Sequence, residues 1–456
     1  MKAVAGLMLA TALAGCAGPR PLVPAGAAFT TPVAWSGDPS GPAGPVDASW
    51  WRGFGDPQLS AVVDRALANN VDLAIAATRI EEARAQFRLA QAQRLPNVTG
   101  AISGARERDV DPFLVGLDQT DGEAQLSISY DLDLFGRLRN ASAAARASLL
   151  ATTYARDNIR LAIAASAAGA YVNLRSLDAR MLVLGDALAT RKGSLDLARR
   201  RFGAGYDGAL DLRQAEAEYR SAEQLIPQTE LAIARQEHGL SLLLGENPGM
   251  IARGTSLAAI ALPKAATSLP ADVLRRRPDI AQAEAQLVAA DRSLDSARAA
   301  FMPGIQLVGS GGYVASTLLT QPIGVFALSG SVLAPIFDSG RLKAQEKGAA
   351  ARRDQAAFAY RKTALIAFRE VEDSLSAVRL TDAQERVLAE QRTALASALA
   401  IATNRYKEGY SPYLEQLDAQ RSLLSADLAL VQSRADRLQA AIKLYQALGG
   451  GWQPQA

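Results

Sequence analysis

Apolar residues recur at two different periods along this chain, and the change of period separates predicted strands from predicted helices. Residues 123–133 alternate strictly between an apolar face and a polar or acidic face. The apolar face consists of Ala124, Leu126, Ile128, Tyr130 and Leu132. This alternation predicts a β-strand, whereas apolar positions that recur every three or four residues across 137–202, without a proline, predict one long helix.

The predicted elements occur twice in the same order, a pair of strands followed by a pair of long helices. The predicted strands are residues 97–105, 123–133, 304–313 and 324–333. The predicted long helices are residues 137–202, 209–244, 341–406 and 414–448. We expect Pro227 to kink one of these helices and Asp72 to cap a shorter helix before the first strand. At about 1.5 Å per residue, the longest helices extend roughly 100 Å, and their spacing favours coiled-coil packing.

Two nearly identical stretches around glycine turns indicate a tandem duplication. Arg201-Phe202-Gly203-Ala204-Gly205-Tyr206 reappears 204 positions later as Arg405-Tyr406-Lys407-Glu408-Gly409-Tyr410. Gly136-Arg137-Leu138 reappears at the same offset as Gly340-Arg341-Leu342. A repeat of this length predicts two similar halves. The predicted division is a first structural repeat at 50–250, a linker at 251–269, a second structural repeat at 270–448 and a C-terminal tail at 449–456.

The N-terminal residues carry the pattern of an exported lipoprotein. Met1-Lys2 precedes an apolar run that is much shorter than the ~20 residues needed to span a bilayer, so residues 1–15 are predicted to be a signal peptide. The run ends in Leu13-Ala14-Gly15-Cys16, and Cys16 is the only cysteine in the chain. Prolines and glycines are frequent in residues 16–49, which predicts an extended tether.

Composition argues against several classes of function. The 49 Lys and Arg residues nearly balance the 46 Asp and Glu residues, so net charge gives no reason to expect a nucleic-acid partner. The chain has one histidine, His238, and one cysteine, too few for an ordinary metal site or a Ser/His/Asp catalytic set. We therefore expect no enzyme activity, no bound metal and no cofactor.

The predicted strands imply an assembly of several chains. The length of 123–133 matches the ~9–11 residues of a tilted membrane strand, although a half-buried strand of a soluble sheet would show the same alternation. Four membrane strands cannot close a barrel, because even small bacterial barrels need about eight. An open sheet edge in lipid would leave backbone groups unpaired. Two chains would supply eight strands and three would supply twelve, and the strand count alone permits both.

Short motifs occur in one order from Trp50 to the end of the second repeat. They are Trp50-Trp51, Phe54-Gly55-Asp56-Pro57, Asn70-Val71-Asp72-Leu73, Asp131-Leu132-Asp133-Leu134-Phe135-Gly136-Arg137, Arg277-Pro278-Asp279-Ile280, Phe368-Arg369-Glu370-Val371-Glu372-Asp373 and Gly409-Tyr410 through Leu417-Asp418-Ala419-Gln420. This set resembles the outer-membrane factors of tripartite efflux and secretion systems, the TolC-like proteins. The tetrapeptide ending in Cys16 resembles a bacterial lipobox, as in the OprM-type lipoprotein branch.

The resemblance implies a fold and a role. The implied fold is an α+β membrane protein in which a homotrimer shares a twelve-stranded outer-membrane β-barrel, four strands per chain, above a long α-helical coiled-coil barrel. The implied role is the exit duct of a tripartite efflux pump that exports small molecules and drugs and contributes to antibiotic resistance. The implied partners are a periplasmic membrane-fusion adaptor, an inner-membrane pump, most often of the RND type, and outer-membrane lipid. Cys16 would carry N-acyl and diacylglycerol lipid, which anchors the protein in the outer membrane.

The resemblance also implies functional positions beside the glycine turns. The gate, or pore constriction, is expected at Leu414, Glu415 and Asp418, with Asp211 as the first-repeat counterpart of Glu415. The family commonly has Asp where this chain has Glu415, and the substitution keeps the charge. The expected adaptor-docking turns contain Gly205, Tyr206, Gly409 and Tyr410. Without the resemblance, the acidic residues would equally suit ordinary solvated helix starts.

Two other functions stay open from the sequence alone. One is an outer-membrane channel for type I-like secretion of a protein or peptide. The other is a structural envelope lipoprotein that does not conduct. The alternation at 123–133 disfavours the structural lipoprotein, because a brace needs no strand with one lipid-facing and one water-facing side.

Overall fold

The computed structural model describes residues 19–36, 46–110, 116–263 and 270–454. The signal peptide and Cys16 lie outside the described residues. The helices of the described part are α1 (Pro57–Asn69), α2 (Val71–Ala92), α3 (Arg137–Gly203), α4 (Ala209–Glu223), α5 (Leu225–Leu243), α6 (Pro270–Arg276), α7 (Pro278–Ala299), α8 (Arg341–Lys407) and α9 (Tyr413–Ala447). The strands are β1 (Asn97–Val110), β2 (Gly116–Leu132), β3 (Gly304–Ser316) and β4 (Ile323–Leu333).

The first hairpin is longer than the sequence predicts. β1 continues to Val110 and β2 begins at Gly116, where the sequence analysis ended the first strand at 105 and began the second at 123. The prediction was wrong because it assigned the charged residues to a loop. In the structure Arg106 pairs with Thr120 and Arg108 with Asp118 across the ladder, and Arg106 also forms an ion pair with Asp118 at 3.5 Å. Backbone pairing and opposite charges across the strands extend the sheet through this polar segment.

The four strands form one antiparallel sheet in the order β1-β2-β3-β4. Their register places large apolar side chains of neighbouring strands on the same face and often opposite a glycine. Leu328 is paired with Gly309 and Phe326 with Gly311, and both side chains are about nine-tenths exposed in the single chain. The face that alternation predicts to be apolar is therefore continuous across the sheet. The other face of β2 carries Glu123, Gln125, Ser127 and Ser129.

The two longest helices, α3 and α8, both begin with an aspartate cap. The carboxylate of Asp133 accepts hydrogen bonds from the backbone N–H groups of Leu138 and Arg139, at 3.0 and 2.6 Å. The carboxylate of Asp338 accepts from Gly340 and Leu342, at 3.0 and 2.8 Å. A side-chain acceptor at this place satisfies N–H groups that have no partner inside the helix.

Two predicted helix boundaries need correction. The return helix predicted at 209–244 is two helices, α4 and α5, and the break falls at Gln224 rather than at Pro227. A proline has no N–H to donate to the carbonyl four residues earlier, and its ring clashes with that carbonyl, so the interruption appears before Pro227.

The cap of α2 is Asn70 rather than Asp72, because the Asn70 Oδ1 atom accepts from the N–H groups of Asp72 and Leu73 at 2.9 and 3.3 Å.

The described residues form two compact units. The strand unit comprises the described parts of Met1–Phe29, Thr78–Thr153 and Gln282–Lys362. The helix unit comprises the described parts of Thr30–Ala77, Tyr154–Ala281 and Thr363–Ala456. Each unit takes segments from both sequence repeats, so neither repeat is a compact body by itself. In the described part of the chain, no helix combines the length and the apolar character that crossing a membrane requires.

The motifs Trp50-Trp51 and Phe54-Gly55-Asp56-Pro57 lie in the helix unit, where they contribute to a buried aromatic cluster and supply a buried carboxylate. The Trp50 ring stacks on Tyr445 at 5.3 Å between centroids. Asp56 is 1% exposed and accepts hydrogen bonds from the Tyr171 hydroxyl at 3.2 Å and from the Thr255 hydroxyl at 3.0 Å. These motif residues therefore have a structural role, since they join the start of the first repeat to the linker and to α9.

Candidate functional site

The candidate site is the tip, which we define as the two glycine turns after α3 and α8 together with the helix ends that flank them. The Tyr206 N–H donates to the Arg201 carbonyl at 2.9 Å, and the Tyr410 N–H donates to the Arg405 carbonyl at 2.8 Å. Gly205 and Gly409 have φ values of 79° and 81°, a left-handed conformation that glycine adopts without strain. The duplicated sequence thus forms the same helix-ending turn twice.

A small apolar core holds the two turns together. Its buried members are Leu195, Ala198, Ala215, Tyr406, Tyr413 and Leu417. They come from α3, α4, α8 and α9, so the core includes residues of both repeats. The rings of Tyr406 and Tyr413 lie 5.4 Å apart. Burial raises the pKa of the Tyr413 phenol to about 12, with the nearby Glu218 carboxylate adding to the shift, so this side chain is neutral at physiological pH.

Three side chains connect the first turn directly to the end of α8, and we call Arg201, Asp207 and Tyr406 the tip bridge. The Arg201 Nε atom donates to the Asp207 carboxylate at 3.0 Å, and the Tyr406 hydroxyl donates to the same carboxylate at 2.7 Å. Arg201 also donates to the Tyr406 carbonyl at 3.2 Å, and its guanidinium lies 5.0 Å from the centre of the Tyr406 ring. Burial and then the hydrogen bond to Asp207 raise the pKa of Tyr406.

The expected gate residues of the second repeat share one face of α9. Leu414, Glu415 and Asp418 are exposed, whereas Tyr413, Gln416, Leu417 and Gln420 are buried. Helical spacing explains the division, because positions three and four apart lie on the same side. Glu415 is 44% exposed and forms an ion pair with Arg405 at 3.7 Å. An exposed pair of this kind contributes about 0–1 kcal/mol to stability.

The other expected positions lie on the first repeat and at the turns. Asp211 is in the first turn of α4, half-buried, and its charge contributes to the raised pKa of Tyr406. It is therefore on a different helix from Glu415 and Asp418. All four docking-turn residues, Gly205, Tyr206, Gly409 and Tyr410, are exposed, and the two tyrosines are 79% and 78% exposed.

Behind the tip lies a buried polar cluster that the sequence analysis did not find. Glu218 of α4 is within 3.4 Å of Arg191 of α3 and accepts a hydrogen bond at 2.9 Å from Arg421 of α9. The Ser194 hydroxyl accepts from the side-chain amides of Gln416 and Gln420 at 3.1 and 2.8 Å. Burial lowers the pKa of Arg191, and the neighbouring carboxylate opposes this shift. The cluster joins α9 to α3 and α4 through hydrogen bonds.

The sequence analysis also did not predict the tip bridge, although one signal in the sequence points to it. The two repeats differ at the positions of Tyr406 and Asp207. Tyr406 occupies the place of Phe202, and Asp207 occupies the place of Ser411. In the first pair only Tyr406 has a hydrogen-bonding side chain, and in the second pair only Asp207 has a carboxylate, whereas Ser411 has a hydroxyl. Such differences indicate contacts between repeats rather than within one of them.

Within the described residues, no group of three or more His, Cys, Asp or Glu side chains is arranged to hold a metal ion. The tip instead presents exposed acidic and apolar side chains on one helix, α9. Hydrogen bonds and a small apolar core hold this helix in place. Combined with a sheet that has a continuous apolar face, this arrangement is typical of a channel-forming membrane protein.

Comparisons with known proteins identify the family. A profile of the family described as outer membrane efflux protein matches residues 62–246 and 269–450. The chain is 35% identical to the solvent efflux pump outer membrane protein SrpC of Pseudomonas putida, over 88% of this chain and 86% of that protein. It is 34% identical to the cation efflux system protein CusC of Escherichia coli O6:H1, over 89% of each. The solved outer-membrane channel OprN superposes with a TM-score of 0.88 at 28% identity, over 96% of this chain and 100% of that one. The chain therefore belongs to the outer membrane efflux protein family.

The family confirms the predicted fold class and role. The protein is an α+β outer-membrane protein with a tandem repeat, and its four strands are one third of a trimeric, twelve-stranded barrel. It is a transport channel of an efflux pump in the outer membrane that extends into the periplasm, and it is not an enzyme. The family uses no cofactor.

Proposed function

We propose that this channel is an exit duct for small organic solutes and cations, and that the second-repeat turn is its gate. The relatives support this class of substrate, because their names include both solvent efflux and cation efflux. The chain contributes no recognisable energy source, so the transport energy comes from a partner pump. The observation that carries the gate assignment is that Leu414, Glu415 and Asp418 are exposed at the start of α9, directly after the second glycine turn.

The chemistry of this face suits a closed passage. In a trimer, Glu415 and Asp418 supply six carboxylates, and three leucines come from Leu414. Carboxylates around one narrow lumen attract cations and repel one another, as acidic rings do in cation channels. Two unit charges 4 Å apart interact by about 4 kcal/mol at an effective dielectric constant near 20, so the closed arrangement needs contacts that hold it. The tip bridge is such a contact, and Arg405 adds a positive charge beside Glu415.

Single-channel conductance in planar bilayers tests the gate. We expect the native protein to show a small conductance with a preference for cations. The double variant Glu415→Ala/Asp418→Ala removes the ring charge, so we expect a larger conductance with a weaker cation preference. Glu230→Ala is the matched control, because this carboxylate is exposed on α5 and lies outside the tip.

Two results would contradict the proposal. One is a folded, inserted double variant with the conductance and selectivity of the native channel. The other is a control variant that changes both properties as much as the double variant does. Either result would return Glu415 and Asp418 to the role of ordinary solvated residues at a helix start.

The partners we propose are a periplasmic membrane-fusion adaptor and an inner-membrane pump of the RND type, and the adaptor binds at the two glycine turns. The exposure of Tyr206 and Tyr410 supports this assignment, because large aromatic side chains that remain uncovered are typical of interaction sites. The two turns have the same hydrogen bonds, so a trimer offers six similar sites. An adaptor can engage both kinds of turn with one recognition element.

Site-specific photo-crosslinking in cells tests the docking turns. A photoreactive amino acid at Tyr206 or Tyr410 is expected to capture a periplasmic adaptor, which mass spectrometry then identifies. The same residue at Tyr313, which is 66% exposed on the sheet, is the control and should not capture it. Capture from Tyr313 alone, or from none of the three positions in a correctly inserted channel, would contradict docking at the turns.

We also propose that Cys16 carries the lipid anchor. The sequence supports this, since the cysteine follows a signal peptide and is the only one in the chain. Several acyl chains give durable membrane attachment where one chain is marginal. Intact-mass measurement of the mature protein tests this proposal, because lipidation at Cys16 adds the mass of the acyl chains to a chain that begins at this residue.

A further inference from the structure

Three arginines of the strand unit contact the backbone of the N-terminal tether. Arg298 donates to the Pro19 carbonyl at 3.2 Å. Arg353 donates from its two terminal nitrogens to the carbonyls of Pro21 and Leu22, both at 3.0 Å. Arg361 donates to the Gly26 carbonyl. Arg298 belongs to α7, whereas Arg353 and Arg361 belong to α8 and contact the later tether residues in chain order.

Arg353 is the central contact of this row. It is 1% exposed, and its Nε atom donates to the Asp354 carboxylate at 2.7 Å. A buried guanidinium is costly unless its N–H groups are satisfied. The fork of Arg353 is satisfied by one carboxylate on its own helix and by two tether carbonyls. Removal of the tether would therefore leave two of its hydrogen bonds unmade.

The chemistry of the two partners is complementary. A guanidinium has only donors, and a proline-rich segment has carbonyl acceptors but lacks N–H groups at each proline. Pro19, Pro21 and Pro24 lie in the bound segment. Their fixed φ values also lower the entropy that an extended chain loses when it is held in place. The three arginines thus contact backbone carbonyls rather than side chains of the tether, and the last of these carbonyls, that of Gly26, belongs to a short 3₁₀ helix, Ala25–Ala27.

Side chains close both ends of the contact. The Arg20 guanidinium donates to Asp291 at 2.7 Å and lies 3.1 Å from Asp295. The Phe29 ring lies 5.8 Å from the Tyr360 ring. The bound segment is therefore fixed at its start by charge and at its end by an aromatic pair, with the arginine row between them.

We propose that Arg298, Arg353 and Arg361 form a clamp that fixes where the lipid anchor of Cys16 enters the membrane. This inference rests on the proposed lipidation of Cys16. Arg298 is next to the C-terminal end of α7, six positions before the start of β3, and it holds Pro19. Cys16 precedes Pro19 by three positions, a reach of at most about 10 Å. We therefore expect the clamp to keep the lipidated residue within this reach of Pro19, whereas an unbound tether would leave its position unrestricted.

The test measures the mobility of the tether. Leu22 is 89% exposed, so Leu22→Cys accepts a thiol-reactive nitroxide spin label without disturbing its carbonyl. The thiol of a lipidated Cys16 is blocked, which leaves the label a single site. In purified trimers we expect the label on the native background to report an ordered backbone. With Arg353→Ala we expect its rotational correlation time to shorten several-fold.

Arg352→Ala is the matched control, because Arg352 is the adjacent guanidinium on the exposed side of α8. It should leave the label unchanged. If Arg353→Ala does not yield folded trimers, Arg361→Ala supplies the same test, since this side chain is less buried and also donates to the tether. An unchanged label in the folded arginine variant, or an equal effect of Arg352→Ala, overturns the clamp.

The same samples separate the clamp from the lipidation on which it rests. A native chain without a reactive thiol and with the mass of acyl chains supports lipidation. A native chain whose Cys16 reacts with the label refutes lipidation, and with it the membrane role of the clamp. In that case the label mobility is measured in proteins that also carry Cys16→Ser. If Arg353→Ala then leaves the mobility of the label unchanged, the tether contacts are refuted as well.

Discussion

Individual residues acquire their roles at this tip from the differences between two otherwise similar repeats. Duplication supplies each turn with the same glycine and the same helix ends. Tyr406 in place of Phe202 and Asp207 in place of Ser411 then add a hydroxyl and a carboxylate that meet across the repeats at 2.7 Å. The bond between them exists once per chain. The side-chain contacts of the two turns therefore differ although their backbone hydrogen bonds are alike.

Tyr406→Phe tests the tip bridge at the scale of one hydroxyl group. The substitution removes one hydrogen bond to a carboxylate and keeps the ring in the apolar core, so we expect a loss of about 1.5–3 kcal/mol in the stability of the tip. The predicted consequence is more frequent opening, seen as a higher mean conductance in planar bilayers. The matched control is Phe202→Tyr, which adds a hydroxyl at the corresponding place of the other repeat, where the side chain is 44% exposed. Equal conductance of Tyr406→Phe and the native channel would show that the tip bridge does not restrain opening.

The sequence predicts some of these residues and misses others for a physical reason. The resemblance predicts Leu414, Glu415 and Asp418 as gate residues, and their exposure on one side of α9 agrees with helical spacing, which is local information. Their role as a gate stays a prediction. The tip bridge joins residues about 200 positions apart in the chain. Periodicity shows which side of a helix is apolar, but it does not show which distant segment covers that side.

At the scale of elements, capping groups and prolines determine where helices begin and end. The predicted helices 137–202 and 341–406 each differ by one residue from the observed α3 and α8, because an aspartate cap and a glycine turn mark both ends clearly. The sequence predicts the first hairpin too short because it assigns the charged residues of both strands to a loop. Arg106 and Asp118 lie on the same face as Ile102 and Ala124, so the ladder continues through them because opposite charges pair across the strands.

Pro227→Ala tests the break between α4 and α5. The alanine regains an N–H group that can donate to the Glu223 carbonyl, so we expect the two helices to join across Gln224. Hydrogen exchange should then slow by roughly tenfold for amides around residues 224–228, as expected when local opening becomes less favourable. Gln228→Ala is the control, because this exposed neighbour already has its N–H group and should leave exchange unchanged. Persistent fast exchange in Pro227→Ala would show that packing, rather than the proline, sets the break.

At the scale of the whole molecule, insertion and assembly depend on each other. β1 and β4 each have one edge without a partner in the described chain, 14 and 11 residues long. Unpaired backbone groups in lipid cost several kcal/mol each, so the sheet becomes stable in the membrane only when neighbouring subunits pair with both edges. The strand count from the sequence left the number of subunits open, because an eight-stranded and a twelve-stranded barrel use the same strand pattern. The family, and not the pattern, settled that number.

Paired substitutions on β4 test which face of the sheet meets lipid. Leu328 lies on the apolar face and Ser329 on the other, and both are exposed in the single chain. An arginine on the lipid face near the bilayer midplane costs about 2–4 kcal/mol, and a trimer carries it three times. We therefore expect Leu328→Arg to abolish or strongly reduce trimers in outer-membrane fractions. Ser329→Arg should assemble at close to the native level and weaken cation preference, because its charge faces the water-filled lumen. Normal assembly of Leu328→Arg together with failure of Ser329→Arg would show that the face of Ser329 meets lipid. The acidic residues of β2 that lie on that face would then not line an aqueous lumen.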